Sequence, residues 1–158
     1  MKFSEVGLAL LKRSEGFRSR VYMDIAGLPT IGYGHRLLHP KSFRDGINED
    51  RAAEILASDV RDAEQAVQRL VKVPLTQGQF DALVDFTFNL GSQRLGNSTL
   101  LKLLNAGRYD DACEQLLKWD HCGCTEVSAL KKRRKAEVEL WRAEQSADSS
   151  QPPEKTES

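Results

Sequence analysis

Three residues near the start of the chain carry groups suited to acid–base chemistry at fixed spacing. Glu15 and Asp24 are nine residues apart, and Thr30 follows Asp24 by six residues. In glycosidic bond hydrolysis, one carboxylic acid protonates the leaving oxygen. A second carboxylate, on the opposite face of the sugar, handles a water or the developing positive charge. The two carboxylates and the hydroxyl are therefore candidates for this reaction, although such offsets are also common by chance.

Each of these groups also has an ordinary structural role to set beside the catalytic one. Glu15 is the candidate general acid, which needs a partly desolvated setting such as Leu11 and Phe17 provide. A glutamate at a helix end is otherwise simply solvated, Asp24 is otherwise a turn former, and Thr30 a strand former. Taken together, an ionised Asp24 and the Thr30 hydroxyl bracket one water opposite Glu15. That arrangement predicts inversion at the anomeric carbon.

The surrounding residues predict the elements that hold these groups. Residues 3–14 have apolar side chains at helical spacing, so a short helix delivers Glu15 at its C-terminal end. From residue 18 to residue 35, strand formers are interrupted by glycines and a proline, which predicts a small antiparallel hairpin. Residues 36–47 are mostly loop, with room for a third strand.

The rest of the chain predicts helices. Asn48 caps a long helix that ends near residue 70. The sequence T-x-x-Q at 76–79 is a capping box that opens a more apolar and centrally buried helix. Shorter helices are predicted at 99–104, 109–119 and 128–144. The apolar stripe of the long helix consists of Ala53, Leu56, Val60, Ala63, Val67 and Leu70.

These elements predict an α+β fold in two lobes. A small antiparallel β lobe covers about 15–47, a linking helix covers about 48–70, and a larger helical lobe covers about 74–145 together with the N-terminal helix. Residues 1–145 would form one catalytic domain. Residues 146–158 are polar, and we expect a disordered tail there.

Composition and charge disfavour several classes of protein. Lys and Arg total 23 and Asp and Glu total 23, so nucleic-acid binding through overall positive potential is not favoured. No apolar run approaches the ~20 residues that span a bilayer, so stable membrane insertion is not expected. The N-terminus does not have the pattern of a cleaved signal peptide. We therefore expect a monomer that accumulates in the cytoplasm.

Three cysteines lie late in the chain, at Cys113, Cys122 and Cys124. An odd count in a chain without a signal argues against a disulfide framework and favours free thiols. With His121 they form a conceivable zinc site, but the C-x-C spacing is not the usual ligand gap. No metal site is therefore predicted.

Two further features have alternative interpretations. We favour His35 as a structural partner of a carboxylate, because the acid and base roles are already filled. The basic run 131–135 is best explained as a solvated helix face. A second interpretation is that an arginine of this run faces the substrate cleft and contacts Glu15 or anionic peptide groups of the substrate. Binding of nucleic acid or membrane is the least favoured, because the run is short and lacks aromatic residues.

The pattern E-G-x(5)-Y-x-D-x(2)-G-x(2)-T-I-G-Y-G-H, which begins at Glu15, resembles the active-site signature of phage-type lysozymes, the endolysins of glycoside hydrolase family twenty-four. The segments 86–91 and 98–105, Trp119 and the R-R-x-x-E sequence ending at Glu137 also match. The resemblance covers about residues 3–142. The stretch 121–130 departs from the family pattern, so the loop that closes the cleft is expected to differ.

The resemblance implies hydrolysis of the β-1,4 bond between N-acetylmuramic acid and N-acetylglucosamine in bacterial peptidoglycan. Glu15 would be the acid, Asp24 and Thr30 would position the water, and Phe88 and Ser98 would line the saccharide cleft. No cofactor or metal is implied. A role in host lysis is implied, with release from the host cytoplasm to the wall through a lesion made by a separate holin.

Other functions stay open at this point. A lytic transglycosylase cleaves the same bond but closes an anhydro ring, and such enzymes work with a single glutamate. A non-catalytic wall-binding module with a degenerate lysozyme fold would tolerate the loss of Glu15. A nucleic-acid-binding helical protein is a more distant alternative, since it rests only on the run 131–135.

Overall fold

The computed structural model describes residues 1–148, and its architecture is α+β, as the sequence predicts. One small sheet and a late two-stranded hairpin are combined with helices that make up most of the chain. In chain order the described elements are α1 (Glu5–Glu15), β1 (Arg18–Met23), β2 (Pro29–Gly32), β3 (His35–Arg36), a 3-10 turn (Pro40–Phe43), α2 (Glu49–Leu70), α3 (Gln77–Leu90), α4 (Ser92–Gly96), α5 (Thr99–Asn105), α6 (Tyr109–Leu116), β4 (His121–Cys122), β5 (Thr125–Glu126) and α7 (Ser128–Asp148).

The β lobe is an antiparallel sheet with β2 between β1 and β3. Tyr22 lies opposite Thr30, and Ile31 lies opposite His35. The register of β1 against β2 shifts between Arg18 and Tyr22, an irregularity that bends a strand. The predicted hairpin is confirmed, and the third strand is only two residues long.

Helix α2 links the two lobes and begins at the predicted cap. Asn48 Oδ1 accepts a hydrogen bond from the backbone N–H of Arg51 at 2.8 Å, which satisfies a free donor of the first turn. The buried face of α2 includes Ala52, whereas Ala53 is exposed, so the predicted stripe was wrong at its first position. Ala52 lies near the centre of the face that buries Leu56, Ala63 and Ala66, whereas Ala53 lies about 100° further round the helix, at the edge of that face.

Helix α3 is the buried centre of the helical lobe, and the predicted capping box is confirmed. Thr76 Oγ1 accepts from the Gln79 N–H at 3.1 Å, and Gln79 Oε1 accepts from the Thr76 N–H at 2.9 Å. Helix α7 crosses α3 at Gly78, where a Cβ atom would collide with the carbonyl oxygen of Leu140. Only a glycine therefore allows the two helices to approach this closely. Every residue from Gly78 to Thr87 is buried.

Helix α7 covers the first three residues of the predicted tail, because it extends to Asp148. The rest of that tail, residues 149–158, lies outside the described residues. Within residues 1–148, no helix combines the length and the apolar character needed to cross a bilayer.

Candidate active site

A cleft of about 890 Å³ lies between the β lobe and the helical lobe. It brings the three predicted catalytic residues to one place. Glu15 comes from the end of α1, Asp24 follows β1, and Thr30 comes from β2. The far wall of the cleft is formed by the end of α3 and by α7, so both lobes contribute to the site.

Glu15 faces this cleft because α1 stops directly behind it. Gly16 has a φ of 66°, in the left-handed region that favours glycine, and its N–H donates to the Lys12 carbonyl at 2.8 Å. The Glu15 side chain is 16% exposed, and its Oε1 accepts a hydrogen bond from Arg133 Nη1 at 2.6 Å. The Glu15 carboxyl group is thus mostly enclosed and held by a cation.

Gly34, in the turn between β2 and β3, lies directly against the carboxyl group of Glu15. Its φ is 67°, and a Cβ atom there would lie 2.6 Å from Glu15 Cδ. Gly34→Ala should therefore move the acid and lower the catalytic rate by about tenfold to a hundredfold. It should also cost about 1–2 kcal/mol of stability, measured by urea unfolding.

The matched control for this prediction is Gly107→Ala. Gly107 has a φ of 79°, but no atom lies within 4 Å of the added Cβ position. It should therefore show the same backbone cost with the full catalytic rate. Equal rates for the two variants would show that the approach of Gly34 to Glu15 is irrelevant to catalysis.

Arg133 connects Glu15 to a second carboxylate beneath the cleft. Its Nε and Nη2 each donate to one oxygen of Asp85, both at 2.9 Å, while the Arg133 side chain is only 6% exposed and Asp85 is fully buried. Burial disfavours both charges, but their attraction outweighs it. The pKa of Arg133 therefore lies above its ordinary value, and the pKa of Asp85 lies below its ordinary value.

A second buried pair lies beside the first. Arg134 Nη2 is 2.9 Å from Glu137 Oε1 and donates to Asn89 Oδ1 at 2.7 Å. The Arg134 guanidinium also lies over the Phe86 ring, 5.2 Å from its centroid. Burial raises the pKa of Glu137 well above its ordinary value, against the attraction of Arg134.

The favoured interpretation of the basic run 131–135 was wrong for two of its residues. Lys131, Lys132 and Lys135 are exposed, as a solvated helix face requires, but Arg133 and Arg134 are buried. The alternative in which an arginine contacts Glu15 is confirmed for Arg133. The sequence signal available for the buried pair was Glu137, which lies one helical turn after Arg134.

Asp24 borders the cleft, and its two carboxylate oxygens have different contacts. Its Oδ1 accepts hydrogen bonds from the backbone N–H groups of Ala26 and Leu28, both at 2.9 Å. Its Oδ2 is 3.5 Å from Arg36 Nε, too long for a strong hydrogen bond. Asp24 therefore combines the turn-forming role with a second carboxylate oxygen at the site that forms only a long ion pair with Arg36.

The Thr30 hydroxyl is oriented by the same turn. The side chain is 2% exposed and borders the cleft, and Oγ1 donates to the Leu28 carbonyl at 2.9 Å. Because its one proton is used there, the hydroxyl oxygen can only accept a hydrogen bond from a molecule in the cleft. Thr30 and Asp24 therefore both present acceptors to that molecule.

The two predicted sugar-binding residues differ in position. Phe88 borders the cleft. Ser98 is 3% exposed and is not among the described residues that line the cleft. Its hydroxyl donates to the Leu95 carbonyl at 2.7 Å and accepts from the Leu101 N–H at 3.0 Å, so it caps α5. Ser98 therefore caps α5 and lies outside the described lining of the cleft, and its contact with a sugar stays a prediction.

His35 pairs with a carboxylate, as the favoured interpretation predicts. Its Nδ1 lies 2.7 Å from Asp59 Oδ2, so the contact joins the β lobe to α2. Burial raises the pKa of Asp59, and the His35 partner opposes that shift. Both residues border the cleft, but each is engaged by the other.

The hairpin β4–β5 occupies the stretch that departs from the family pattern. His121, Cys122 and Gly123 border the cleft, and Cys122 Sγ lies 3.9 Å from the carbonyl oxygen of Ile25 in the β lobe. All three cysteines are free, and Cys113 is buried. Among residues 1–148, no group of three or more His, Cys, Asp or Glu side chains is arranged to hold a metal ion.

Comparisons with known proteins agree with this geometry. The family described as Phage lysozyme matches residues 12–137, a range that contains the three predicted catalytic residues and the buried ion pairs described above. This chain therefore belongs to the phage lysozyme family, and the resemblance seen in the sequence is confirmed.

Individual relatives extend the match over most of the chain. The endolysin of Acyrthosiphon pisum secondary endosymbiont phage 1 is 39% identical over 145 residues, which cover 89% of this chain and 98% of that protein. The endolysin of Bacillus phage B103 is 40% identical over 145 residues, 89% of this chain but 54% of that relative's length. The muramidase domain of SpmX from Asticaccaulis excentricus has a TM-score of 0.77 at 35% identity, covering 89% and 97% of the two chains.

Proposed function

We propose that this protein is a muramidase that hydrolyses the β-1,4 bond between N-acetylmuramic acid and N-acetylglucosamine and acts as a phage endolysin in host lysis. Membership of the phage lysozyme family supports a glycosidase of the lysozyme type. The observation that carries the finer proposal is the presence of Glu15, Asp24 and Thr30 around one cleft. Bacterial peptidoglycan is the proposed substrate, and Phe88 is a proposed contact for its sugars.

Glu15 is the group that protonates the leaving oxygen. Its position at the end of α1 places a carboxyl group at the cleft surface, with one oxygen on Arg133. The other oxygen, Oε2, lies on the side of Gly34. After the proton is transferred, Glu15 is a carboxylate, and Arg133 is already in place to stabilise that charge.

Asp24 and Thr30 position the attacking water. A water that donates one hydrogen to Asp24 Oδ2 and the other to Thr30 Oγ1 has its lone pairs directed away from both acceptors. The backbone contacts described for Asp24 and Thr30 fix both acceptors before substrate arrives. Asp24 then removes a proton as the water attacks the anomeric carbon. Attack from the face opposite Glu15 gives inversion.

Product analysis tests the reaction directly. Purified peptidoglycan is digested with the protein, and the soluble fragments are analysed by mass spectrometry. Hydrated, reducing muramic acid ends are the expected result. Anhydro ends, lighter by one water, would instead establish a lytic transglycosylase, and the absence of fragments would favour a wall-binding module. The anomer that forms first, followed by NMR on a soluble glycan, tests inversion.

Removing the water-positioning groups should lower hydrolysis strongly. Asp24→Asn keeps the shape of the turn but removes the base, so the rate of hydrolysis should fall by about a hundredfold or more. Thr30→Ala removes one acceptor and should have a smaller effect in the same direction. The assay is the release of reducing ends from peptidoglycan. Largely intact cleavage in both variants would favour the transglycosylase.

Delivery to the wall belongs to the same proposal. The protein would accumulate in the host cytoplasm and reach the wall through a membrane lesion made by a separate holin. Expression in a bacterial host with and without a co-expressed holin tests this point. Lysis without a holin would contradict the proposed route.

A further inference from the structure

Asp85 lies beneath the cleft and does not itself border it. It is fully buried in α3, and both of its oxygens accept hydrogen bonds from one guanidinium group, that of Arg133. A buried carboxylate is costly unless it is paired. Asp85 is paired with the Arg133 guanidinium, and a contact with Glu137 further favours its charge.

The geometry of the contact aims Arg133 at the acid. A guanidinium group is planar, with its donors in a fixed fork. Because Nε and Nη2 are both bound to Asp85, the remaining Nη1 is held in one direction, and it lies 2.6 Å from Glu15 Oε1. Asp85 therefore fixes the position at which Arg133 Nη1 contacts the carboxyl group of Glu15.

The negative charge of Asp85 also changes the electrostatic effect of Arg133 on Glu15. A cation beside a carboxyl group favours the ionised form, whereas a general acid must hold its proton until substrate is bound. Asp85 places a negative charge on the opposite side of the same guanidinium and so weakens its field at Glu15. The low pKa of Asp85 keeps that negative charge in place.

We propose that Asp85 is a positioning residue for the acid, which holds Arg133 against Glu15 and offsets part of the positive charge that Arg133 places there. This inference rests on the proposed role of Glu15 as general acid. The charged and titratable groups around the Glu15–Arg133–Asp85 contact come from two elements and one loop: Arg134 and Glu137 of α7, Tyr22 and Arg18 of β1, and Asp24 in the loop after β1.

The test is the pH profile of peptidoglycan hydrolysis by Asp85→Asn in the full chain. Asparagine keeps the size of the side chain but removes the negative charge, so Arg133 stabilises the ionised form of Glu15 without compensation. The alkaline limb of the profile should move to lower pH by about one unit, the size expected for the loss of a nearby unit charge. Rates are divided by those of the wild type on the same substrate, which removes effects of substrate titration.

Asp81→Asn is the matched control. Asp81 lies one turn earlier in α3 and is also a buried carboxylate, but its partners are Ser4 and Gln77. Its loss should lower stability without moving the alkaline limb. An unmoved limb in Asp85→Asn, or an equal shift in both variants, would overturn the proposal.

A measurement on the wild type covers the case in which Asp85→Asn does not fold. Carboxyl carbon NMR should show Asp85 ionised throughout the active pH range. Protonation of Asp85 within that range would overturn the inference, because a neutral Asp85 offsets no charge. An inactive wild type would instead contradict the proposed function, so the two failures are distinguishable.

Discussion

Replacing Glu15 with glutamine should lower the rate of peptidoglycan hydrolysis by about a thousandfold or more. Glutamine has nearly the same shape but carries no acidic proton, so the leaving oxygen departs without protonation. No other carboxyl group is held by Arg133 on the surface of the cleft, among the residues that the structure describes. The rate is measured as the fall in turbidity of a peptidoglycan suspension.

The same substitution should change stability little. The amide oxygen of glutamine still accepts a hydrogen bond from Arg133, and Asp85 still balances the buried charge. The free energy of unfolding in urea should therefore stay within about 1 kcal/mol of the wild type. Glu139→Gln, on the exposed face of α7, is the control and should retain both activity and stability. Retained hydrolysis by Glu15→Gln would refute the assignment of the acid.

Arg133→Met should be among the most destabilising single substitutions in the protein. Methionine fills much of the space of the arginine stem but leaves the Asp85 carboxylate buried without the cation that pairs with it. Breaking a buried ion pair from one side costs about 3–5 kcal/mol. Urea unfolding at neutral pH measures this cost, and the activity should fall as well because Glu15 loses its cation.

Two further variants distinguish the stability cost of a buried unpaired charge from the cost of losing an arginine. Arg108→Met breaks an exposed pair with Asp111 and should cost less than about 1 kcal/mol. The double variant Arg133→Met with Asp85→Leu removes both buried charges and should regain much of the lost stability without regaining activity. If Arg133→Met costs no more than Arg108→Met, the contact with Asp85 contributes little to folding.

Features that depend on nearby residues could be predicted from the sequence. The capping box of α3 is a contact between residues three positions apart, and its two hydrogen bonds are both present. Asp24 and Thr30 are joined by one tight turn, so their spacing almost determines their relative placement. Glu15 could be placed because a glycine directly after it ends the helix.

Features that depend on contacts between distant segments could not be predicted in the same way. Asp85 is a charged residue in an apolar helix, and its partner Arg133 is 48 positions away. A prediction from residue types and their spacing places both side chains in solvent, because charged side chains are rarely buried without a partner. Ser98 was assigned to the cleft by resemblance, and the structure shows its hydroxyl group capping α5, a role that its position before a helix could have indicated.

The hydrogen bond between Glu15 and Arg133 joins residues 118 positions apart. During synthesis, Glu15, Asp24 and Thr30 therefore leave the ribosome long before the arginine that completes the acid. A nascent chain that lacks α7 has its catalytic carboxyl group without its cation, and Asp85 without its partner. Under the proposed mechanism, Glu15 would obtain its cation only after α7 has been translated and has docked, so the proposed activity would depend on an intact α7.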